Sequence, residues 1–209
     1  MRSPYCKQIK GKMTILNYLD KIPDIKAGAF IFKTAVIIGD TVIGKNSSIW
    51  FGTIIRGDVN KIIIGERTNI QDNSTIHVTI SLFPTTIGNE VTIGHNSVIH
   101  GSTIEDRVLI GMGAVLLDGC HIRKNSIIGA HSVLRSGTEI PEGVLVAGNP
   151  AKIKRDLSPD EIEGLERSAR NYVKYSFNYL TYSQYSIYSN DEIKSVIEML
   201  RTNVLGSIQ

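Results

Sequence analysis

Three of the five histidines in this 209-residue chain fall close together, in "STIHVT" (74–79) and "TIGHNSVIHG" (92–101). Three neutral imidazoles hold a zinc-like divalent ion and leave a fourth position open, the arrangement of a catalytic and not a closed structural site. An isolated outward histidine is usually just solvated or hydrogen-bonded. His77, His95 and His100 are therefore a metal-ligand set only if the chain brings them to one place. His121 and His131 are the internal comparison, and both read as ordinary surface residues.

What positions them is a repeat. Stepping by six from Ile31 meets Ile37, Ile43, Ile49 and Ile55. The phase slips and resumes at Ile64, Ile70 and Ile76, then again at Ile87, Ile93 and Ile99 after the excursion "VTISLFPTT". A last block runs from Ile104 to Val146. Four residues after each aliphatic comes a small or β-branched residue, such as Ala35, Thr41, Ser47, Thr53 and Val59 in the first block. Period six is neither helical nor a plain alternating strand. It describes a short strand and a turn, with one side chain inward per unit and Gly, Asn and Asp supplying the corners. Three units close a triangular coil of about 18 residues, and coils stack at the strand spacing of about 4.8 Å.

Composition narrows the setting. A net charge of +3 with scattered Lys and Arg does not imply nucleic acid. No apolar run reaches membrane-spanning length. Cys6 and Cys120 form no metal or redox motif, which favours a reducing cytoplasm. Residues 1–29 read as a leader and cap, with Met13 as an alternative start. Residues 30–152 read as the repeat domain. From 153 to 180 a helix is expected along the prism, with Ser158 as N-cap, Pro159 at the first position and Ile162, Leu165, Ala169, Tyr172, Val173 and Phe177 as its apolar stripe. The tail, 181–209, is expected to be helical again over "DEIKSVIEMLRTNV".

In this frame His77 follows the inward Ile76, and His100 follows the inward Ile99, one coil later on the same face. Two ligands on stacked strands suit a single ion. His95, two residues after Ile93, faces another side and does not reach that ion within one chain. Packing about a threefold axis brings His95 of one subunit to His77 and His100 of another, so the spacing asks for a metal and a trimer together. Ile54, Val78 and Leu117, outward and uncharged, are expected at the contact. Arg56, after the inward Ile55, belongs to the His77 column.

The segments "IRGD" (55–58), "NIQD" (69–72), "IHVT" (76–79), "IGHNSVIHG" (93–101), "IGMGA" (110–114) and "GNPAK" (148–152) resemble the gamma-class carbonic anhydrase family of hexapeptide-repeat proteins. The resemblance implies a mainly β fold, a left-handed parallel β-helix with a C-terminal helix. It implies a homotrimer with shared sites, zinc (Zn2+, or Fe2+ or Co2+) on His77, His95 and His100, and hydration of carbon dioxide to bicarbonate by metal-bound hydroxide. Gln71 matches the residue that orients that hydroxide. Arg56 and Asp58 match an interface pair, Asn69 and Asp72 match supporting and interface positions, and Tyr172 matches a tyrosine near the site. The best-known members carry an acidic loop where this chain has "VTISLFPTT", and Val59 replaces a second glutamate. That departure puts the proton path in question and keeps two alternatives open: a hydrolase or acyltransferase acting on thioesters, and a non-catalytic assembly subunit.

Overall fold

The computed structural model describes residues 14–182. Cys6, the leader before Met13 and the helix expected over 191–204 lie outside the described residues. In chain order the strands are β1 (Thr14–Leu16), β2 (Asp24–Ile25), β3 (Phe30–Ile31), β4 (Val36–Ile43), β5 (Ser48–Ile49), β6 (Ile54–Ile64), β7 (Asn69–Ile70), β8 (Thr75–His77), β9 (Thr85–Ile87) and β10 (Thr92–Ile93). There follow β11 (Val98–His100), β12 (Thr103–Ile104), β13 (Leu109–Ile110), β14 (Val115–Leu116), β15 (His121–Ile122), β16 (Ile127–Ile128), β17 (Val133–Leu134), β18 (Glu139–Ile140), β19 (Val144–Gly148), β20 (Ala151–Asp156) and the helix α1 (Pro159–Tyr182). They build a mainly β, solenoid-like β-helix of about 7 turns.

Every sixth residue does what the spacing predicts. Ile37, Ile55, Ile76, Ile99, Leu116 and Leu134 pair in register as one ladder. Ile31, Ile49, Ile70, Ile93, Ile110, Ile128 and Val146 form a second, and Ile43, Ile64, Ile87, Ile104, Ile122 and Ile140 a third. All are buried. Each such side chain contributes about 1.5–3 kcal/mol on leaving water. At the corners Ser47, Ser74 and Ser97 are fully buried, and their hydroxyls donate to the carbonyls of Gly65 and Gly94. A larger side chain would not fit, and an unpartnered one would cost the hydrogen bond.

Two departures from the six-residue step matter for the site. Between β4 and β6 the register moves from Gly39 opposite Gly57 to Thr41 opposite Ile62, so β6 bulges outward over 58–61. Such a bulge re-aims side chains, and here it presents Asp58. It also puts Val59 outside, 37% exposed, although the phase assigned it to a corner. Directly above, the chain leaves the coil between β8 and β9 for the excursion, tied back by a Thr79–Phe83 bridge. Asn60 Nδ2 on the bulge donates to the Thr79 carbonyl at 3.0 Å.

The open end of the second ladder's sheet is closed by β20, which turns back antiparallel on β19. Then α1 starts at a reciprocal cap: Ser158 Oγ accepts from the Glu161 amide at 3.3 Å, and Glu161 Oε2 accepts from the Ser158 amide at 2.9 Å. The helix lies on this sheet with Leu165, Ala169 and Ser176 buried and Tyr172 against an aromatic cluster of Phe32 and Trp50. No described helix is long and apolar enough to cross a membrane.

Candidate metal centre

His77 and His100 end β8 and β11 and are direct register partners. Strand spacing alone brings their Cα atoms to about 4.8 Å, and the side chains close the rest: His77 Nδ1 lies 3.0 Å from His100 Nε2. The outer nitrogen of each ring meets a carboxylate. His77 Nε2 is 3.1 Å from Asp58 Oδ1, and His100 Nδ1 is 2.7 Å from Asp118 Oδ1. A carboxylate only accepts, so each outer nitrogen carries the proton.

The charges around Asp58 and His77 favour this state. Burial pushes the Asp58 carboxyl upward, but the hydrogen bonds from Arg56 and His77 outweigh it and hold the group below its usual value. Burial pushes His77 below its usual value as well; Asp58 opposes this, while the Arg56 guanidinium and His100 add to it. A neutral His77 with its proton on the Asp58 side leaves Nδ1 as an acceptor, aimed at His100 Nε2. Two imidazole nitrogens at 3.0 Å are held together by a shared proton or by a bound cation. Two nitrogens on one tetrahedral zinc stand about 3.3 Å apart, so the pair suits a divalent ion with little adjustment.

The remaining candidates gather on the neighbouring face. His95 Nδ1 is 3.0 Å from Asp72 Oδ2. Gln71, which precedes Asp72, is buried, and its amide donates to Asn69 Oδ1 at 3.1 Å. Asn69 in turn donates to Thr92 Oγ1 at 2.9 Å, which is 3.1 Å from Ser168 Oγ on α1. This chain commits the Gln71 amide group and leaves its Oε1 as the acceptor. Tyr172 is half-buried, edge-on to Trp50 at 5.6 Å. Burial raises its pKa, and the Asp72 carboxylate adds to the rise.

The candidates thus form two groups: Arg56, Asp58, His77 and His100 on one face, Asn69, Gln71, Asp72, His95 and Tyr172 on the next. Among the described residues no three His, Cys, Asp or Glu are grouped to hold a metal within one chain. His121 also has a carboxylate partner, Glu105 at 2.8 Å, but belongs to the third ladder's face. His131 is exposed. Val78, expected outward, is 1% exposed because it continues the alternation of the strand, inward like Ile76 two residues before it. The residue that sequence reading passed over is Asp118. The signal was its place one coil above Gly101, the residue that follows His100.

A family model described as bacterial transferase hexapeptide (six repeats) matches residues 84–118 and 101–136. The chain is 46% identical over 171 residues to the gamma carbonic anhydrase 1, mitochondrial, of Arabidopsis thaliana, covering 79% of this chain and 62% of that protein. It is 43% identical over 160 residues to a carbonic anhydrase of Geobacillus kaustophilus, covering 77% of this chain and 87% of that one. The chain belongs to the gamma-class carbonic anhydrase family. A crystal structure of a hexapeptide transferase family protein from Anaplasma phagocytophilum matches it with a TM-score of 0.76 at 42% identity, over 79% of this chain and 98% of that chain. This member of the family spans about three fifths of the plant relative's length, 62%.

Proposed function

We propose that this protein is a metal-dependent, carbonic anhydrase-like enzyme that reversibly hydrates carbon dioxide, as a homotrimer with each site shared by two subunits. The observation that carries the reading is the 3.0 Å approach of His77 Nδ1 to His100 Nε2, each imidazole backed by a carboxylate. Carboxylate-backed histidines are the usual support of a catalytic divalent ion. The relatives named carbonic anhydrase supply the substrate class.

His77 and His100 of one chain and His95 of its neighbour would hold the ion. Imidazole suits Zn2+, and equally Fe2+ or Co2+. When bound, the ion supplies a Lewis-acidic centre that brings the pKa of water at the open position to about 7. Gln71 Oε1 accepts the hydrogen bond that orients the attacking oxygen, its amide being held by Asn69. Arg56 balances Asp58 and, after burial, adds to what disfavours the charged form of His77. The uncharged surface of Ile54 and Leu117 on the His77 face excludes bulk water around a nonpolar substrate, while the proton released by hydration has no titratable group on the excursion to receive it. Tyr172 is a weak candidate for that task, because its pKa is raised above an already high value. The single free thiol among the described residues, Cys120, is buried, which suits a reducing compartment such as the cytoplasm.

A second reading, thioester hydrolysis or acyl transfer at the same imidazoles, draws on the transferase descriptions of the family model and of the Anaplasma structure. The experiment that separates them is metal analysis of anaerobically purified protein, followed by carbon dioxide hydration and thioester assays on the same sample. Bound metal with hydration supports the proposal. Bound metal with thioester turnover and no hydration at any buffer concentration transfers the site to the second reading.

A further inference from the structure

Asp118 sits at the corner that follows β14, and Leu116 pairs with Ile99, so Asp118 stands one coil above Gly101. Its carboxylate leans down a full coil. A Cβ added to Gly101 would lie 2.2 Å from Asp118 Oδ1 and 2.7 Å from Phe83 Cβ, which no real side chain permits. Gly101 also has φ +54°, in the region that favours glycine. The missing side chain at 101 is therefore the space through which Asp118 reaches down and against which the excursion packs.

Other corners of the prism use the same lean for a different purpose. Asp106 Oδ1 fills the space over Gly88, and there it accepts from the backbone amide of Asn89 at 2.7 Å, capping the coil below. Asn89 Oδ1 fills the space over Gly65 and accepts from the Glu66 amide at 2.8 Å. At Asp118 the oxygen is redirected: Oδ1 accepts from His100 Nδ1 at 2.7 Å and from Thr79 Oγ1 at 3.0 Å. One oxygen has lone pairs for both donors. The repeat's corner device has here been turned onto a histidine and onto the start of the excursion.

We propose that Asp118 is the positioning residue of His100, fixing its proton on Nδ1 so that Nε2 is presented bare, and that Gly101 is the glycine this reach requires. Asp118 also latches the excursion to the same oxygen through Thr79, so that the ring's orientation and the loop's seat are set together. The inference rests on the metal-site reading for its purpose, though the hydrogen bond itself exists without a metal. Loss of an outer-shell partner of a metal ligand commonly costs 10–100-fold in affinity.

The test uses the metal-free full chain with 15N-labelled histidine, and long-range 1H–15N correlation to read which nitrogen of His100 is protonated. Wild type is expected to show the Nδ1–H form. Asp118→Ala is expected to lose it, and Gly101→Ala, which leaves the carboxylate in the chain but blocks its path, is expected to lose it too. Asp118→Asn, whose side-chain oxygen still accepts, should retain it. Fluorescence of Trp50, the chain's single tryptophan, checks that each variant folds. Zinc affinity by chelator competition should fall about 10–100-fold in the two alanine variants and less in Asp118→Asn. An unchanged Nδ1–H tautomer in folded Asp118→Ala, or a wild type protonated on Nε2, overturns the proposal. If wild type shows the expected tautomer and binds no zinc, the metal reading fails while the Asp118 contact stands.

Discussion

Asp58 stands between the Arg56 guanidinium and His77, and both it and His77 titrate below their usual values in the folded chain. A depressed value means that the unfolded chain takes the proton first. Stability from His77 is thus complete above about pH 6.5, its ordinary value, and falls as pH drops through the lower folded value. Asp58 adds a second loss below its ordinary 3.8. Urea midpoints of metal-free protein should therefore decline first below about pH 6.5 and again where the carboxylates protonate, and His77→Gln should remove the upper loss; an unchanged upper step would assign it to another group. Proton transfer gives the other prediction at this scale. A positioned acid or base contributes about 10²- to 10⁴-fold to such a step, and Val59 and the excursion offer none. Hydration should be slow in weak buffer, rescued by imidazole buffer, and raised by Val59→Glu without change in metal content. Fast, buffer-independent turnover of wild type would reveal a shuttle elsewhere. The histidine positions were legible because a six-residue period converts residue number into face, and His77 and His100 each follow an inward isoleucine. Asp118 was not, because its partner lies 18 residues away and is reached only over a glycine whose role is to be empty.

The C-terminal helix depends on its first turn. Glu161 takes two hydrogen bonds from the Arg155 guanidinium, each 2.8 Å, and one from the Ser158 amide, which together hold its carboxyl at about 2. Because the folded value is the lower one, this support is present above pH 4.5 and is lost as pH falls toward about 2. Trp50 packs against Tyr172, so its fluorescence reports docking of α1 directly. Ser158→Ala should cost about 1 kcal/mol, a fall in Tm of about 2–4 °C for a chain of this size, and should make the Trp50 signal change at milder acidity. No change in either would mean that the apolar stripe alone seats the helix. That stripe was readable from Leu165, Ala169 and Tyr172; the fully buried Ser176 was not, since its hydroxyl is satisfied by the Val173 carbonyl of its own helix. Strand β20 was missed for a related reason. "AKIKRD" has charges on both sides of its one isoleucine, and only the open edge of β19 makes it a strand.

At the scale of the whole molecule, the proposed ligands stand in two groups on different faces of the single chain. His77 and His100 face outward beside Ile54 and Leu117, 40% and 37% exposed, and His95 faces another way with Asp72 as its partner. A threefold arrangement would cover the first and complete the second. The most direct test mixes two variants, His77→Ala and His95→Ala, under conditions that exchange subunits, and measures metal per chain against wild type. Each pure trimer should hold essentially none. In an equal mixture a site is whole only where a chain with intact His77 meets a neighbour with intact His95, so random assembly into closed trimers should restore about a quarter of the wild-type metal. Recovery near that fraction is what shared sites require. Mixed trimers that still hold no metal, or a pure His95→Ala protein that keeps its full complement, would contradict the account.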